Sequence, residues 1–323
     1  MRRRHFIRLL GATAASPVAA LNAWAQPAGR TYRLGVLVQA PRTASHWMTF
    51  FDELRREGFI EGVNLSVVDA FGTRIESADT AVAVMVNARP DAIMTAGAFT
   101  RVLQGATQTI PILTVSDDLL VEKVVSSLSR PGGNVTGISI LATELDGKRL
   151  EMLLEAVPDA RRIAILADNA VTTPQQMKAL EAAAKAHDVI ASTHIAFRAD
   201  DIMPALDGIV NAKEQALNVL ASSLLNARRQ EIIERMAAAR LPAIYQWPET
   251  SEEGGFMAYG PRFATLYRPH AQQAAKVLKG IKASDIPIEQ PTKFELVVNL
   301  KTAKSIGRPI PPSLLLRADE VIE

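Results

Sequence analysis

Residues 110–140, IPILTVSDDLLVEKVVSSLSRPGGNVTGISI, and residues 241–260, LPAIYQWPETSEEGGFMAYG, follow one plan. Each opens at a proline, runs through a short apolar strand (112–115; 243–245) and turns polar or acidic (Ser116, Asp117 and Asp118; Pro248 and Glu249). Each then passes a Gly-Gly pair, at 132–133 or 254–255, and enters a second short strand that leads into a helix. The recurrence points to one α/β unit used twice, with the chain passing between units at these stretches. Chance punctuation by Pro and Gly is the competing explanation for the two stretches taken alone.

The intervening segments extend the plan. Apolar runs of strand length at 33–39, 64–70, 91–95 and 112–115 alternate with helical periodicity at 47–57, 77–88 and 99–107. The pattern restarts with helix 145–156, strand 162–167, helix 175–187, strand 189–195, a helix to 210, strand 216–220 and one long helix over 224–240. A tail follows: helix 261–278, an extended connection over 283–291, strand 294–299 and a short helix from 301. This spacing predicts an α/β protein with two Rossmann-like lobes, parallel sheets and helices on both faces. The simplest routing returns helix 261–278 to the first lobe and strand 294–299 to the second. The chain then crosses three times, near 139–143, 258–262 and 283–291, with lobe 1 at 30–140 plus 261–284 and lobe 2 at 141–260 plus 285–323.

Residues 1–25 read as an export signal. Arg2, Arg3, Arg4 and Arg8 precede an apolar run of about 12 residues, and Ala23-Trp24-Ala25 is an A-x-A cleavage pattern. Residues 3–8, RRHFIR, match the twin-arginine form. The run is too short for a membrane span, which needs about 20 residues. Without its four arginines the chain keeps 32 Lys plus Arg against 34 Asp plus Glu, so the basicity belongs to the leader. No electrostatic case for a nucleic-acid partner remains. The absence of cysteine excludes disulfides, thiol catalysis and a lipid-modified Cys. A periplasmic monomer, free of the membrane, is the expectation.

In parallel α/β sheets, ligands sit beyond the carboxyl ends of strands. Two such ends facing each other make a cleft, lined by Arg42, Thr43, Gly97, Phe99, Thr100, Asp117, Asn169, Ser222, Tyr245 and Trp247, with Ser139 and Tyr259 at the crossings. The mixture suits a small zwitterion. Amides at the helix starts 43–46, 98–101 and 222–225 take a carboxylate, Asp117 pairs an ammonium, and Phe99, Tyr245 or Trp247 packs an apolar side chain. Plainer roles compete: Asp117 as a helix N-cap, the serines as caps, Tyr245 as core. There is no G-x-S-x-G, H-E-x-x-H or GxxxxGK[ST] motif, and the acid pairs 117–118 and 200–201 have no third metal ligand at suitable spacing. No cofactor is implied. A secreted α/β enzyme using a cleft acid as base is the alternative, and a regulator of this fold would need a helix-turn-helix where the leader stands.

The runs SLSRPGGNVTGIS (127–139), KRLEMLLEAVPDARRIAIL (148–166), RLPAIY (240–245), GGFMAYG (254–260) and PIEQPTKFELVVNLKTAKSIG (287–307), with the terminal LLLRADEVIE, resemble the ABC-transporter substrate-binding family of the tryptophan/tyrosine type. The resemblance implies a type I periplasmic binding fold, a small-molecule ligand, and delivery to a membrane permease served by a separate ATPase. Carried over by position, it places ligand contacts at 96–100, 116–117, 169, 221–223 and 245–247. Where relatives show a Thr/Ser-rich loop after the third strand, this chain has Ala96-Gly97-Ala98-Phe99, and Trp247 is a further departure. Aromatic amino acids are the default, with other small carboxylates open.

Overall fold

The computed structural model describes residues 29–323, and the leader reading at residues 1–25 lies outside the described residues. Five strands, β1 (Tyr32–Leu37), β2 (Leu65–Ala70), β3 (Ala92–Ala96), β4 (Ile112–Ser116) and β5 (Val135–Ser139), form a parallel sheet in the order β2-β1-β3-β4-β5. Helices α1 (Ser45–Arg56), α2 (Ala78–Asn87) and α3 (Phe99–Ala106) connect the first four. A second sheet holds β6 (Arg162–Asp168), β7 (Ile190–Ala196), β8 (Leu217–Val219), β9 (Ala243–Tyr245), β10 (Met257–Gly260), β11 (Glu295–Asn299) and β12 (Glu320–Ile322), ordered β12-β11-β10-β9-β8-β6-β7. Its helices are α4 (Ala142–Ala156), α5 (Pro174–Ala186), α6 (Ile202–Asn211), α7 (Ser223–Ala227), α8 (Arg229–Ala238), α9 (Pro248–Glu252), α11 (Leu300–Ile306) and α12 (Pro312–Leu315).

The two-residue period of each strand divides its side chains between two apolar layers. Leu34, Val36, Ala92 and Met94 face Trp47, Phe50 and Leu54 of α1, whereas Leu37 and Ile93 face Val82 and Met85 of α2 and Leu103 of α3. In the second sheet Ile163, Ile165 and Ala167 join the layer under α4 and α5, and Ala164 and Leu166 join that under α6 and α8. Helix α10 (Phe263–Leu278) follows β10 of the second sheet yet packs on α1 and the first. Its stripe of Leu266, Tyr267, Ala271, Ala274 and Leu278 completes the layer that α1 leaves half covered.

The chain therefore passes between the sheets three times: from β5 to α4, from β10 to α10, and through residues 286–294 into β11. The last passage runs along β5, with Ser139 N donating to Glu289 O (2.9 Å) and Glu289 N to Gly137 O (2.9 Å). Thr136 Oγ1 donates to Ile286 O (2.8 Å), and Gln273 Nε2 of α10 reaches Gly137 O and Pro287 O. One strand pair departs from the all-parallel expectation: β11 runs antiparallel to β10. The reason is directional, since β10 leads out of the second sheet and β11 leads back in. Residues 224–240, expected as one helix, divide at Arg228 into α7 and α8 with no Gly or Pro to mark the break. The terminal β12, which local pattern did not disclose, pairs parallel to β11.

Gly137 in β5 has φ +144°, and a Cβ there would lie 1.9 Å from the carbonyl oxygen of Thr114. Gly137→Ala is expected to cost about 3 kcal/mol through overpacking and backbone strain. Urea unfolding checks this, and an unchanged midpoint would contradict so close an approach.

Candidate functional site

The carboxyl ends of both sheets face one another, and side chains meet across the gap. A Cβ on Gly97, in the turn after β3, would lie 2.8 Å from Ser223 Oγ at the start of α7. Arg74 Nη2 approaches Asp200 Oδ2 at 2.8 Å, and the Trp247 indole stacks on the Phe263 ring at 4.4 Å. A cavity of about 200 Å³ lies between Gln39, Thr73 and Arg74 on one side and Leu224, Ala227 and Arg228 on the other. The Arg74–Asp200 pair is exposed, so solvent screening leaves it little weight in holding the sheets together.

Asp117 follows the last residue of β4 at this junction. Its carbonyl accepts from Ala142 N at the first crossing (3.1 Å). Its carboxyl is pushed well above the usual carboxylate range, first by burial and then by Glu122, Asp146 and Asp168, with Arg149 opposing. The other three acids have donors. Glu122 accepts from Ser116 Oγ (2.8 Å) and Asp118 N (3.0 Å). Asp168 accepts from Ser222 Oγ (2.6 Å) and Ala170 N (2.9 Å). Asp146 accepts from Arg149 and Gln176. Among the described residues, no donor reaches the Asp117 carboxylate. No helix starts here for Asp117 to cap; beside it, Asp118 Oδ1 accepts from Leu120 N and Val121 N and closes a turn.

The other residues singled out in the sequence fall into three groups. Gly97, Ser139, Ser222 and Trp247 lie with Asp117 where the sheets meet, although two are already engaged: Ser139 Oγ accepts from Leu119 N (3.3 Å), and Ser222 Oγ caps α7. That cap occupies the amides of Leu224 and Leu225, which removes α7 as a carboxylate taker. Phe99, Thr100, Tyr245 and Tyr259 turn into the layers instead. Phe99 packs with Val82, Met85 and Leu103, Thr100 Oγ1 bonds Thr114 Oγ1 (2.7 Å), and Tyr245 joins the layer under α8. Tyr259 packs on the α4 side. Alternation sets the face of Tyr245 in β9 and Tyr259 in β10, whereas Phe99 and Thr100 lie on the buried side of α3. Arg42, Thr43 and Asn169 lie nearer the surface: Arg42 pairs with Glu61 and lies 5.1 Å above the Phe51 ring. Asn169 edges a separate pocket against α5.

The chain matches the family model for ABC transporter substrate-binding proteins over residues 36–322. The protein belongs to that family. A curated relative, the tyrosine-binding protein of Clostridioides difficile (strain R20291), is 25% identical over 203 residues, and the match spans 62% of this chain and 58% of that relative. A conserved domain protein from Vibrio cholerae O1 biovar El Tor superposes with TM-score 0.79 at 22% identity, over 90% of this chain and 99% of that one. The ABC domain from Streptococcus pneumonia in complex with L-Trp gives TM-score 0.78 at 21% identity, over 90% and 100%. These likenesses carry the type I periplasmic binding fold.

This substrate-binding protein also holds residues at the cleft that local sequence did not mark. Asp146 and Arg149, one helical turn apart in α4, are both fully buried. Arg149 Nη1 also donates to Tyr259 O (3.1 Å), so the pair ties α4 to the second crossing. Asp168 ends β6, one residue beyond the strand expected at 162–167.

Proposed function

We propose that this substrate-binding protein captures a small solute bearing a protonated amine, an amino acid in the first instance, and delivers it to the permease of an ABC importer driven by a separate ATPase. The donorless carboxylate of Asp117 carries the reading. An ammonium placed there neutralises the repulsion from Glu122, Asp146 and Asp168 and supplies the hydrogen bonds the carboxylate lacks. The starts of α1 and α3 are the stations for a ligand carboxylate. The relatives bound to tyrosine or L-Trp support the amino-acid class.

The lobes at 30–140 plus 261–284 and 141–260 plus 285–323 close on the ligand, with Gly97, Ser139, Ser222 and Trp247 around it. Affinity then measures how far the ligand shifts the open–closed equilibrium. Export through the leader at residues 1–25 places the mature chain in the periplasm as a monomer without a lipid anchor. No helix among the described residues is long and apolar enough to cross a membrane.

A thermal-shift screen of residues 26–323 against amino acids, aliphatic amines and amine-free carboxylates tests the proposal, because a ligand bound only by the folded state raises Tm. The expected result is a shift with an amine-bearing ligand that is recovered unchanged. Shifts confined to amine-free carboxylates would refute the role of Asp117, and conversion of the ligand would make the protein an enzyme.

A further inference from the structure

Trp247 belongs by chain to the second sheet, where it precedes α9, but its indole sits in the apolar layer of the first. It lies against Phe263 at 4.4 Å with the planes 26° apart. The Phe263 ring is followed by His46 (4.7 Å), then Tyr267 and Trp47, a continuous aromatic wall along α1 and α10. Ile140 and Ala142, which flank the first crossing beside Asp117, line the same layer. The chain's own indole covers the Phe263 end of this wall.

Two observations bear on how the indole is seated. A buried indole N–H usually finds an acceptor, yet Nε1 of Trp247 is buried without one, as is Nε2 of the adjacent Gln246. The ring is therefore seated by its stacked face rather than by its polar edge. The space next to it, among Ser222, Asn226, Arg229, Gln246 and Thr250, measures about 20 Å³, room for one water. The larger cavity of about 200 Å³ between the sheets has no aromatic side chain in its lining.

We propose that Trp247 is a resident occupant of the aromatic layer under α1 and α10, so that the solute taken up beside Asp117 is an aliphatic amine or amino acid without a ring. This deepens the function proposed above and rests on it for the amine. Van der Waals volume makes the exclusion: a guest ring and the indole cannot both lie on Phe263.

The test uses wild-type protein and Trp247→Ala, with free indole, L-Trp, L-Tyr and a set of aliphatic amino acids and amines as probes, read by calorimetry and thermal shift. Wild type is expected to ignore indole and to bind the aliphatic probes more tightly than L-Trp or L-Tyr. Trp247→Ala is expected to lose thermal stability, recover it on adding indole, and bind indole about tenfold or more tightly than wild type does, as vacated apolar cavities take up rings of the lost size. Equal indole binding by both proteins would overturn the proposal. So would preference of the wild type for L-Trp or L-Tyr, a result that needs no variant and stands even if Trp247→Ala fails to fold. Indole carries no amine, so indole gain by the variant with no amine bound by wild type would sink the Asp117 reading alone.

Discussion

Asp117→Asn is expected to weaken ligand binding about a hundredfold or more, close to 3 kcal/mol, while leaving the ligand-free protein at least as stable as wild type. The substitution keeps the shape and removes the charge. Losing one partner of a desolvated charge pair commonly costs 2–5 kcal/mol, roughly, because the other charge is left unmatched. Stability runs the other way. The Asp117 carboxyl titrates well above its ordinary value, raised by burial and by Glu122, Asp146 and Asp168, so ionising it works against the folded state. Ligand-free stability is then fully present below the ordinary Asp pKa and is lost as pH rises through the raised one. Asp117→Asn abolishes that share of the pH dependence. Ligand affinity in the wild type moves oppositely and increases with pH over the same window, since the cation needs the carboxylate. Titration calorimetry and thermal melts across pH test both halves, and undiminished affinity in the variant would show that the amine sits elsewhere.

Arg149→Ala is expected to cost about 3–5 kcal/mol of folding stability, the penalty for leaving one member of a buried ion pair alone, and to lower Tm by about 10 °C. Arg149 and Asp146 are both fully buried, and the guanidinium also holds Tyr259 O. Burial raises the pKa of Asp146, and Arg149 works against that rise; without the cation the acid keeps Gln176 and a backbone contact at Ala221. Replacing both residues by Leu is expected to cost less than Arg149→Ala, because no charge is then stranded. Denaturant melts of the three proteins decide the matter. A loss below about 1 kcal/mol in Arg149→Ala would place the pair on the surface.

Much of the architecture was legible in local pattern. Runs such as RIAILA at 162–167 alternate between two buried layers, and their length admits only strands covered on both faces. The two proline-led stretches each deliver a strand and then a helix, β5 with α4 and β10 with α10. Chain direction explains most of what was missed. Whether β11 pairs parallel or antiparallel depends on where the preceding segment ends in space, which no window of sequence contains. At the site, chain position did not settle which face a side chain takes: Phe99, which opens α3, and Tyr245, which ends β9, both point into core.

The order of strands and helices, the double unit and the acid at position 117 follow from periodicity and punctuation, which are local properties of the chain. The shared field of Asp117, Glu122, Asp146 and Asp168, the burial of Arg149 and the seating of Trp247 on Phe263 were decided only by tertiary structure. Charge repulsion, desolvation and stacking act between groups close in space, and these partners lie up to about fifty residues apart in the chain, brought together only when the two sheets meet.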